Sequence, residues 1–474
     1  MLIKKDQDSI ESYFEDSSNL KGGHADSVVF PENIEDLSEF VKKSNIEKTP
    51  ITISGGGTSV TGSRIPFGGV VISLEKFNKI IDVSGDKMRA VALSGVLVED
   101  FKKACEDKGL FYACHPTEKS AFLGGTVSTN ASGARSFKYG STRRHVKRLK
   151  MVLATGQIFE IERGQEILTG SSPIIPIPTY KMPRVKNSAG YFAGEGTDYM
   201  DLFIGQEGTL SIITEAELAL SAMPHKIFSS FVFFKDEKDS WSFAEEARRS
   251  DALSIEYFDS NALRLLKNKS GNVPGDARAA IFFEQELTED GEESILDGWV
   301  NTISKHNASL DSTWVAMTEC EADKFNQFRY SIPESVNEIV RSNGFRKLSA
   351  DIAVPESGFS AMVNFYTDTL KAGSVEHVIF GHIGECHLHV NLLPRNEKEL
   401  KISEEICLAF VKKGVHLGGT VSAEHGIGKT RHKYLEEMYG RRGILEMARI
   451  KKAIDPNCIL GLDNIFPKEI LGLV

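Results

Sequence analysis

Residues 51–62 read ITISGGGTSVTG, a short β-rich run that breaks into three consecutive glycines. Glycine permits backbone conformations that turn successive N–H groups toward one point, and such a nest binds a phosphate or pyrophosphate. A tight turn between two strands is the alternative interpretation of a single glycine run. The run is not the dinucleotide fingerprint G-x-G-x-x-G, because Val60 stands where that pattern needs a glycine.

Two further glycine-rich stretches favour the cofactor interpretation. Residues 123–133, LGGTVSTNASG, are rich in small and hydroxyl side chains, which allow the backbone to approach a flat ligand closely. Residues 205–214, GQEGTLSIIT, join another glycine turn to a predicted strand. Because each glycine loses extra conformational entropy on folding, three such loops are costly in a purely structural chain. One large phosphorylated cofactor accounts for all three.

Size and composition exclude several classes of protein. A chain of 474 residues is too long for one simple core, and its net charge of −10 argues against nucleic-acid binding. No apolar run approaches the ~20 residues of a membrane-spanning helix, and the N-terminal MLIKKDQDSIESYF lacks the apolar segment of a secretory signal. The six cysteines contain no CxxC pair, so neither a disulfide framework nor a cysteine zinc ribbon is indicated. We expect a cytoplasmic protein.

The hydrophobic pattern changes along the chain. Residues 33–50 have the apolar spacing of an amphipathic helix, while ITIS, GGVVISL, RAVALSG and the two halves of KRLKMVLATGQIFEI predict strands. From about residue 221 to 415, FSSFVFF, RAAIFFEQEL and SLDSTWVAM predict strands, with helices such as DSWSFAEEARRS between them. This pattern predicts a separate α+β domain over an antiparallel sheet. The C-terminal residues are mostly helical.

Three of the chain's twelve histidines lie in residues 381–391, GHIGECHLHVN. The segment after Cys386 alternates, so His387, His389 and Asn391 share one face of a predicted strand. If this strand pairs with the preceding one in a hairpin, His382 and His389 converge near its turn. Metal ligands and buried polar residues are both consistent with the pattern.

Residues 422–430, SAEHGIGKT, place Glu424 beside His425 ahead of a glycine turn. The GKT is not a Walker A loop, because Ala423 stands where that motif has a glycine. The turn can bring Glu424 and His425 into a cleft. A helix-capping glutamate beside a surface histidine is the alternative.

The order SGGGTSVTG, HPTEKSAFLGGTVSTNASGARSFKYG, KNSAGYF and IGQEGTLSIITEAEL resembles the PCMH-type FAD-binding domain of the vanillyl-alcohol oxidase superfamily. The resemblance covers about residues 24–466. It is closer to the branch of FAD-linked 2-hydroxyacid dehydrogenases, which includes D-lactate dehydrogenase, the glycolate oxidase FAD subunit and D-2-hydroxyglutarate dehydrogenase. It implies an α+β fold with an FAD-binding domain at residues 1–220, an α+β substrate or cap domain at 221–415, and a segment at 416–474 that returns to the FAD-binding domain.

The resemblance also implies which residues bind FAD. They are Gly55, Gly56, Gly57, Thr58 and Ser59 at the pyrophosphate, Pro116, Thr117, Gly124, Gly125, Ser128, Thr129, Asn130 and Ser132 along the flavin, and Glu207, Gly208 and Ile213 closing over it. No histidine stands in or just before the first glycine loop, where members with covalent flavin carry one, so non-covalent FAD is expected. The chain departs from the family pattern at Ser54, Gln206, Ser211 and residues 461–464.

The motifs GHxGxxxLHxN and xEHGIG of metal-dependent members are matched in order. By this resemblance His382, His389 and Glu424 bind one divalent ion, with zinc expected, and such an N,N,O set leaves coordination positions open for catalysis. His387 has no counterpart, because asparagine usually stands there, and is expected to support a ligand or to be incidental. Cys386 is expected to be a turn cysteine without a role.

The resemblance assigns His425 as the acceptor of the substrate hydroxyl proton. It assigns Arg329 and Lys347 to the substrate carboxylate, and Asn391 can donate a further hydrogen bond. Pro333 stands where hydroxyglutarate-specific members offer a threonine.

The predicted function is therefore metal-assisted oxidation of a D-2-hydroxyacid to its 2-oxoacid, with the C2 hydride passing to flavin N5. The alternatives are an alkylglycerone-phosphate-synthase-like flavoenzyme, a flavin-free metal hydrolase, and a binding protein that keeps the fold without turnover. Because no iron–sulfur cysteine cluster is present, electrons are expected to leave to a separate acceptor: a quinone, a cytochrome, an electron-transfer flavoprotein or oxygen. Contact with a membrane is expected to be peripheral at most, and the oligomeric state, homodimer included, stays open.

Overall fold

The structure is a computed structural model that describes residues 1–114, 116, 118–164, 175–176, 178–194, 198–270 and 273–474. Its strands, in chain order, are β1 (Leu2–Lys4), β2 (Ser27–Phe30), β3 (Ile51–Ser54), β4 (Val70–Ser73), β5 (Ile80–Ser84), β6 (Arg89–Leu93), β7 (Leu110–Phe111), β8 (Val146–Leu153), β9 (Ile158–Glu162), β10 (Ser211–Ala219), β11 (Ser221–Ala222), β12 (Lys226–Phe234), β13 (Ala252–Asp259), β14 (Ala279–Leu287), β15 (Trp314–Ala316), β16 (Leu348–Ala353), β17 (His377–Gly381) and β18 (His387–Leu392).

The α-helices are interspersed among these strands along the chain. They are α1 (Gln7–Ile10), α2 (Ile34–Glu47), α3 (Val98–Glu106), α4 (Leu123–Thr129), α5 (Ser136–Tyr139), α6 (Thr142–His145), α7 (Met200–Phe203), α8 (Glu237–Ala247), α9 (Ser260–Ser270), α10 (Glu292–Lys305), α11 (Glu319–Asn343), α12 (Glu356–Gly373), α13 (Glu397–His416) and α14 (His432–Ile454). In the described part of the chain, none of them combines the length and the apolar character that a bilayer crossing requires.

The chain divides into two compact units. The first unit comprises Met1–Ser132, Ser141–Ala222 and Thr420–Val474, and the second comprises Gly133–Gly140 and Met223–Gly419. The first unit contains a four-stranded sheet in the order β1-β2-β4-β3 and a five-stranded antiparallel sheet in the order β5-β6-β10-β8-β9. The two strands predicted in KRLKMVLATGQIFEI are β8 and β9, joined by a turn at Thr155-Gly156, and the predicted helix over residues 33–50 is α2.

The second unit is built on one seven-stranded sheet in the order β15-β12-β14-β13-β17-β18-β16. Every neighbouring pair of its strands is antiparallel, as predicted. The core on one face of this sheet is aromatic, with Phe231 packed against Phe258 and Phe282. The two-domain α+β architecture predicted from the sequence is therefore confirmed.

One face of the seven-stranded sheet changes from apolar to polar along its strands. Ser254 lies opposite Glu284, and Glu256 lies opposite Phe282 on β14. His389 lies opposite both Phe380 and Asp351 on its two neighbouring strands. Directly opposite residues project to the same side of a sheet, so polar side chains from several strands extend the face that carries the aromatic core. We call this part of the sheet the polar end.

The second glycine-rich stretch, predicted as a loop, begins with helix α4 instead. Leu123 and Val127 are fully buried at helical spacing. A Cβ at Gly124 would stand 2.4 Å from Cβ of Ser94, so the glycine serves close packing of the helix on the chain after β6. The prediction was wrong here because low intrinsic helix propensity was outweighed by this tertiary packing.

Residues Gly133–Gly140 belong to the second unit, whereas the predicted boundary places them in residues 1–220. Nε and Nη2 of Arg135 donate two hydrogen bonds to the carboxylate of Glu284, at 2.9 and 2.8 Å. Ser136 donates to Glu385 at 2.6 Å, and Lys138 pairs with Asp251 at 2.9 Å. These bonds fasten the segment around α5 to the second unit.

Candidate active site and metal centre

The hairpin that the sequence predicts is formed by β17 and β18, with Phe380 opposite His389. Gly381 has a φ of 130°, and a Cβ there would lie 2.8 Å from Cδ2 of His389. The glycine therefore lets the His389 ring lie against the backbone of the neighbouring strand. Cys386 closes the turn with a φ of 52°, and burial raises the pKa of its thiol to about 11.

His382, His387 and His389 form a buried histidine cluster in the second unit. The ring centroid of His382 lies 5.3 Å from that of His387 and 5.3 Å from that of His389. The ring centroids of His387 and His389 are 4.5 Å apart. One ring nitrogen from each histidine lies within 4.8 Å of those of the others. The structure thus brings the predicted ligands His382 and His389 together, and it adds His387.

Two buried carboxylates lie behind the histidine cluster. Oε1 of Glu256 on β13 is 2.6 Å from Nδ1 of His382, and Oδ1 of Asp351 on β16 is 2.7 Å from Nε2 of His387. A carboxylate at one ring nitrogen fixes the tautomer and turns the other nitrogen toward a ligand position. Such pairs commonly stand behind metal-binding histidines, so the donor set and its surroundings fit a divalent ion of the zinc type.

Arg329 on α11 reaches the polar end of the sheet. Its guanidinium carbon lies 5.2 Å from the centre of the Phe282 ring and 5.1 Å from that of Tyr330, and Nη1 is 3.9 Å from Oε2 of Glu256. Nε and Nη1 are buried, and no group in the described part of the chain accepts a hydrogen bond from either atom. A buried guanidinium with unused N–H donors is suited to bind a carboxylate.

The other two predicted substrate-binding residues lie nearby in the same unit. Lys347 immediately precedes β16, and its Nζ donates to Oδ1 of Asn337 at 3.2 Å. Asn391 is buried on β18, and its amide nitrogen lies 3.5 Å from the carbonyl oxygen of Val378. Lys347 therefore contacts the helix that carries Arg329, whereas Asn391 contacts the backbone of its own hairpin.

Glu424 and His425 lie in the first unit, on the loop before α14. Oε2 of Glu424 is 3.0 Å from Nζ of Lys186 and accepts a hydrogen bond from Ser132 at 3.2 Å. Oε1 is 3.5 Å from Nε2 of His425. Both members of the Lys186–Glu424 pair are largely buried, so the carboxylate has a cationic partner at close range.

The glycines of this loop make room for Glu207. Its two carboxylate oxygens accept hydrogen bonds from the backbone N–H groups of Ile427 and Gly428, at 2.8 and 2.7 Å. A Cβ at Gly426, which has a φ of 74°, would lie 2.8 Å from that carboxylate. Burial raises the pKa of Glu207 to about 7, and the two N–H donors oppose that rise. The Glu207 side chain thus holds the loop that carries His425.

The three glycine-rich stretches meet in the first unit. The first follows β3, where Gly57 has a φ of 79° and a Cβ at Gly56 would lie 2.4 Å from the carbonyl oxygen of Ser120. Thr58 and Ser59 are half-buried, and Oγ of Ser59 lies 3.0 Å from Oγ of Ser63. A Cβ at Gly55 would lie 4.0 Å from Cα of Gly125, which places the first stretch beside the second.

The second stretch, around α4, is joined to the third by a backbone hydrogen bond from Glu207 to Ser128 at 2.8 Å. Thr129 donates to the carbonyl oxygen of Gly125 at 3.0 Å, and Oδ1 of Asn130 accepts from the backbone of Arg143 at 3.0 Å. At Gly125, no described atom lies within 4 Å of where a Cβ would stand. A flat ligand could approach the backbone there.

The third stretch packs on β3 at Gly208, where a Cβ would meet the Ile53 side chain at 3.3 Å, and Ile213 is buried in β10. Pro116 is buried as well, and Thr117 lies outside the described residues. The residues predicted to bind FAD therefore lie on neighbouring segments of one unit. Their individual contacts with the cofactor stay predictions.

Residues 25–162 match the family model of an FAD binding domain, and residues 223–462 match that of the C-terminal domain of FAD linked oxidases. The chain belongs to the FAD-linked oxidases. This confirms the family predicted from the sequence motifs, and with it an FAD-dependent oxidoreductase. The family match also rules out the flavin-free hydrolase alternative.

Sequence similarity to known relatives extends over nearly the whole chain of this FAD-linked oxidase. It is 28% identical to the glycolate oxidase subunit GlcD of Bacillus subtilis, covering 94% of this chain and 89% of the relative. It is 28% identical to a D-lactate dehydrogenase of Archaeoglobus fulgidus, covering 93% of this chain and 91% of the relative. A solved alkyldihydroxyacetonephosphate synthase superposes with a TM-score of 0.70 at 17% identity over 97% of this chain and 83% of that one, which shows a shared fold.

Several residues of the FAD-linked oxidase site were missed by sequence reasoning. Glu256 and Asp351 are charged residues within mostly buried strands, and a carboxylate inside such a strand is the signal that could have found them. Lys186 is the first residue of the KNSAGYF motif, but the motif itself assigned no role to the lysine. The bonds from the Glu207 carboxylate to the backbone of Ile427 and Gly428 were also missed, and the predicted contact of Glu207 with FAD stays a prediction.

Proposed function

We propose that this FAD-linked oxidase converts a D-2-hydroxyacid to the corresponding 2-oxoacid, with a divalent ion, zinc in this proposal, as a second cofactor. The observation that carries the proposal is Arg329, a buried guanidinium beside the histidine cluster whose Nε and Nη1 meet no acceptor among the described residues. Relatives named glycolate oxidase and D-lactate dehydrogenase act on compounds of this class.

The carboxylate of a 2-hydroxyacid matches what Arg329 offers. The guanidinium carries a positive charge, and its Nε and Nη1 can each donate a hydrogen bond to a carboxylate oxygen. Arg329 and His382 both contact Glu256, so the anion-binding group and the histidine cluster are linked through one side chain. We propose that Lys347 adds a positive charge and Asn391 a hydrogen bond to the same substrate.

The substituent at C2 is proposed to be small. Pro333 follows Arg329 by one helical turn on α11 and offers no donor to a second polar group of the substrate. Glycolate and lactate satisfy this requirement better than 2-hydroxyglutarate, which would leave its distal carboxylate without the threonine hydroxyl of hydroxyglutarate-specific members.

His382 and His389 are proposed as metal ligands. Imidazole nitrogen is a preferred ligand of zinc, and the Glu256 carboxylate at Nδ1 of His382 leaves Nε2 to coordinate. The assignment of Glu424 as the carboxylate ligand rests on the sequence motif. When bound, the ion supplies Lewis acidity that lowers the pKa of the substrate hydroxyl.

His425 is proposed to take the hydroxyl proton. Histidine exchanges protons near neutral pH, and the Glu207 carboxylate fixes the backbone just after it. FAD, when bound, would supply the acceptor for the hydrogen and electron pair of C2.

We propose that the first unit binds FAD and that the second binds the hydroxyacid. Electrons then pass to a separate acceptor, a quinone, a cytochrome or an electron-transfer flavoprotein, in the cytoplasm.

Anaerobic titration of the FAD-loaded protein tests the proposal. D-lactate, L-lactate, glycolate and both enantiomers of 2-hydroxyglutarate are added separately, and the visible flavin absorption is followed. Bleaching by D-lactate or glycolate but not by L-lactate is expected. A yellow protein that none of these acids bleaches would contradict the proposed reaction while leaving the family membership intact.

A further inference from the structure

We propose that His387 is a third histidine ligand, so that the divalent ion is held in the second unit by His382, His387 and His389. The inference rests on the metal of the proposed function and extends its ligand set. It concerns a residue for which the family pattern has no counterpart.

Strand geometry supports this assignment. His387 and His389 are two residues apart on β18, and alternate residues of a strand project to the same face. The His387 and His389 rings are 4.5 Å apart, and His382 reaches them across the hairpin turn at 5.3 Å. A histidine pair on one strand with a third from the neighbouring strand end provides three nitrogens on one side of the hairpin.

The separation of the nitrogens suits one ion. In a tetrahedral zinc site, two nitrogens that each lie about 2.1 Å from the ion are about 3.4 Å apart. The ligand atoms of the three histidines lie within 4.8 Å of one another. Side-chain rotations that bring each pair of nitrogens at most about 1.4 Å closer together therefore place all three at coordination distance.

Asp351 orients His387 as Glu256 orients His382. Oδ1 of Asp351 is 2.7 Å from Nε2 of His387, so Nδ1 is the nitrogen that can coordinate. Both His387 and Asp351 are completely buried. A carboxylate behind a histidine is the arrangement that commonly orients metal-binding histidines.

The competing explanation is a purely structural ion pair. A protonated His387 paired with Asp351 would also satisfy both buried groups. The two explanations differ in one measurable respect, which is the number of imidazoles bound to the ion. Three neutral nitrogen ligands would also favour zinc or cobalt over magnesium and calcium, which prefer oxygen.

The experiment begins with the unmodified, FAD-loaded protein. It is freed of metal by chelation and reloaded with one equivalent of Zn²⁺ for X-ray absorption spectroscopy, or of Co²⁺ for visible spectroscopy. Outer-shell scattering that fits three imidazoles is expected. Scattering that fits two imidazoles, or no stoichiometric uptake of either ion, would overturn the inference, and neither result depends on a variant that folds.

The variant His387→Asn installs the side chain that the family usually carries. We expect it to lose more than the roughly 100-fold in Zn²⁺ affinity that a residue behind a ligand can cost, and to change the Co²⁺ spectrum. His377→Asn, on β17 outside the histidine cluster, is the control, and FAD content reports folding. A folded His387→Asn protein with the Zn²⁺ affinity and Co²⁺ spectrum of the parent would show that His387 only pairs with Asp351.

A failure of the ligand assignment can be distinguished from a failure of the proposed function. If the protein binds zinc through three imidazoles but no hydroxyacid reduces the flavin, the proposed reaction fails and the ligand assignment stands. If a D-hydroxyacid bleaches the flavin while the ion has two imidazoles, the ligand assignment alone fails.

Discussion

Oε2 of Glu207 accepts a hydrogen bond from the backbone N–H of Gly428 at 2.7 Å, across 221 residues of sequence. Oε1 binds the neighbouring N–H of Ile427. One side chain therefore satisfies two consecutive backbone donors just after His425. Because the group is fully buried, its protonation state is coupled to the stability of the fold.

The first prediction concerns the pH dependence of stability. Burial raises the pKa of Glu207 from 4.5 to about 7. A carboxyl with a raised folded-state pKa contributes stability that is complete below about pH 4.5 and is lost as the pH rises through about 7. That pKa difference corresponds to about 3 kcal/mol.

The measurement is the melting temperature of the protein and of Glu207→Gln at pH 5 and pH 8. The advantage of the unmodified protein over the variant should be larger at pH 5, because glutamine does not titrate. An equal difference at the two pH values would show that Glu207 titrates normally in the folded state.

The second prediction concerns substrate binding. Arg329→Met removes the buried N–H donors and should raise KM for the hydroxyacid. A hydrogen bond to a charged group contributes about 1.5–3 kcal/mol, so kcat/KM should fall roughly 10- to 150-fold. Arg341→Met, an exposed position on the same helix, is the matched control. Unchanged kcat/KM in Arg329→Met would remove Arg329 from the substrate site.

The third prediction concerns proton transfer. His425→Ala should slow flavin reduction by roughly 10²- to 10⁴-fold, which is the range of a general base, with FAD content and metal content unchanged. Stopped-flow absorption of the flavin with excess D-hydroxyacid measures this rate. His416→Ala, at an exposed histidine, should behave like the unmodified protein. Full turnover in His425→Ala would assign the proton to another group.

The fourth prediction concerns the buried pair of Lys186 and Glu424. Lys186→Met leaves the Glu424 carboxylate without that cation and should cost about 3–5 kcal/mol of stability in metal-free protein. Adding Glu424→Gln to the same variant should restore most of the loss, because the buried charge is then gone. A double-mutant cycle of urea unfolding midpoints measures this coupling, and additive effects of the two substitutions would contradict it.

The fifth prediction concerns metal affinity. Glu256→Gln weakens the acceptor that orients His382, so Zn²⁺ affinity should fall roughly 10- to 100-fold. Competition with a chromophoric chelator gives the affinity, and Glu289→Gln, an exposed change in the same unit, provides the baseline. If the affinity of Glu256→Gln equals that baseline, His382 is oriented by other contacts.

The hairpin around Gly381 could be predicted from the sequence because the residue pattern that specifies it lies within the hairpin itself. Alternation fixes which side chains of β18 share a face, and the glycine between the two runs marks the turn. The glycine-rich stretches were equally visible, but the helix in residues 123–129 was not, because its packing partner Ser94 lies elsewhere in the chain.

The supporting carboxylates could not be predicted in the same way. Glu256 is 126 residues from His382, and Asp351 is 36 residues from His387. Their roles follow from the strand order of the seven-stranded sheet, which no local pattern specifies. Lys186 was missed for the same reason, since its partner Glu424 lies in a different segment of the chain.

The bidentate bond between Arg135 and Glu284 has a consequence for protein engineering. Burial opposes ionisation of Glu284, but the Arg135 charge and its hydrogen bonds outweigh it and hold the pKa of that carboxyl at about 2. A chimaera that exchanges residues 223–419 between two members of the family would transplant this carboxylate away from its own guanidinium. The transferable module is therefore discontinuous: residues 133–140 must travel with residues 223–419, or the donor and recipient must already share the arginine.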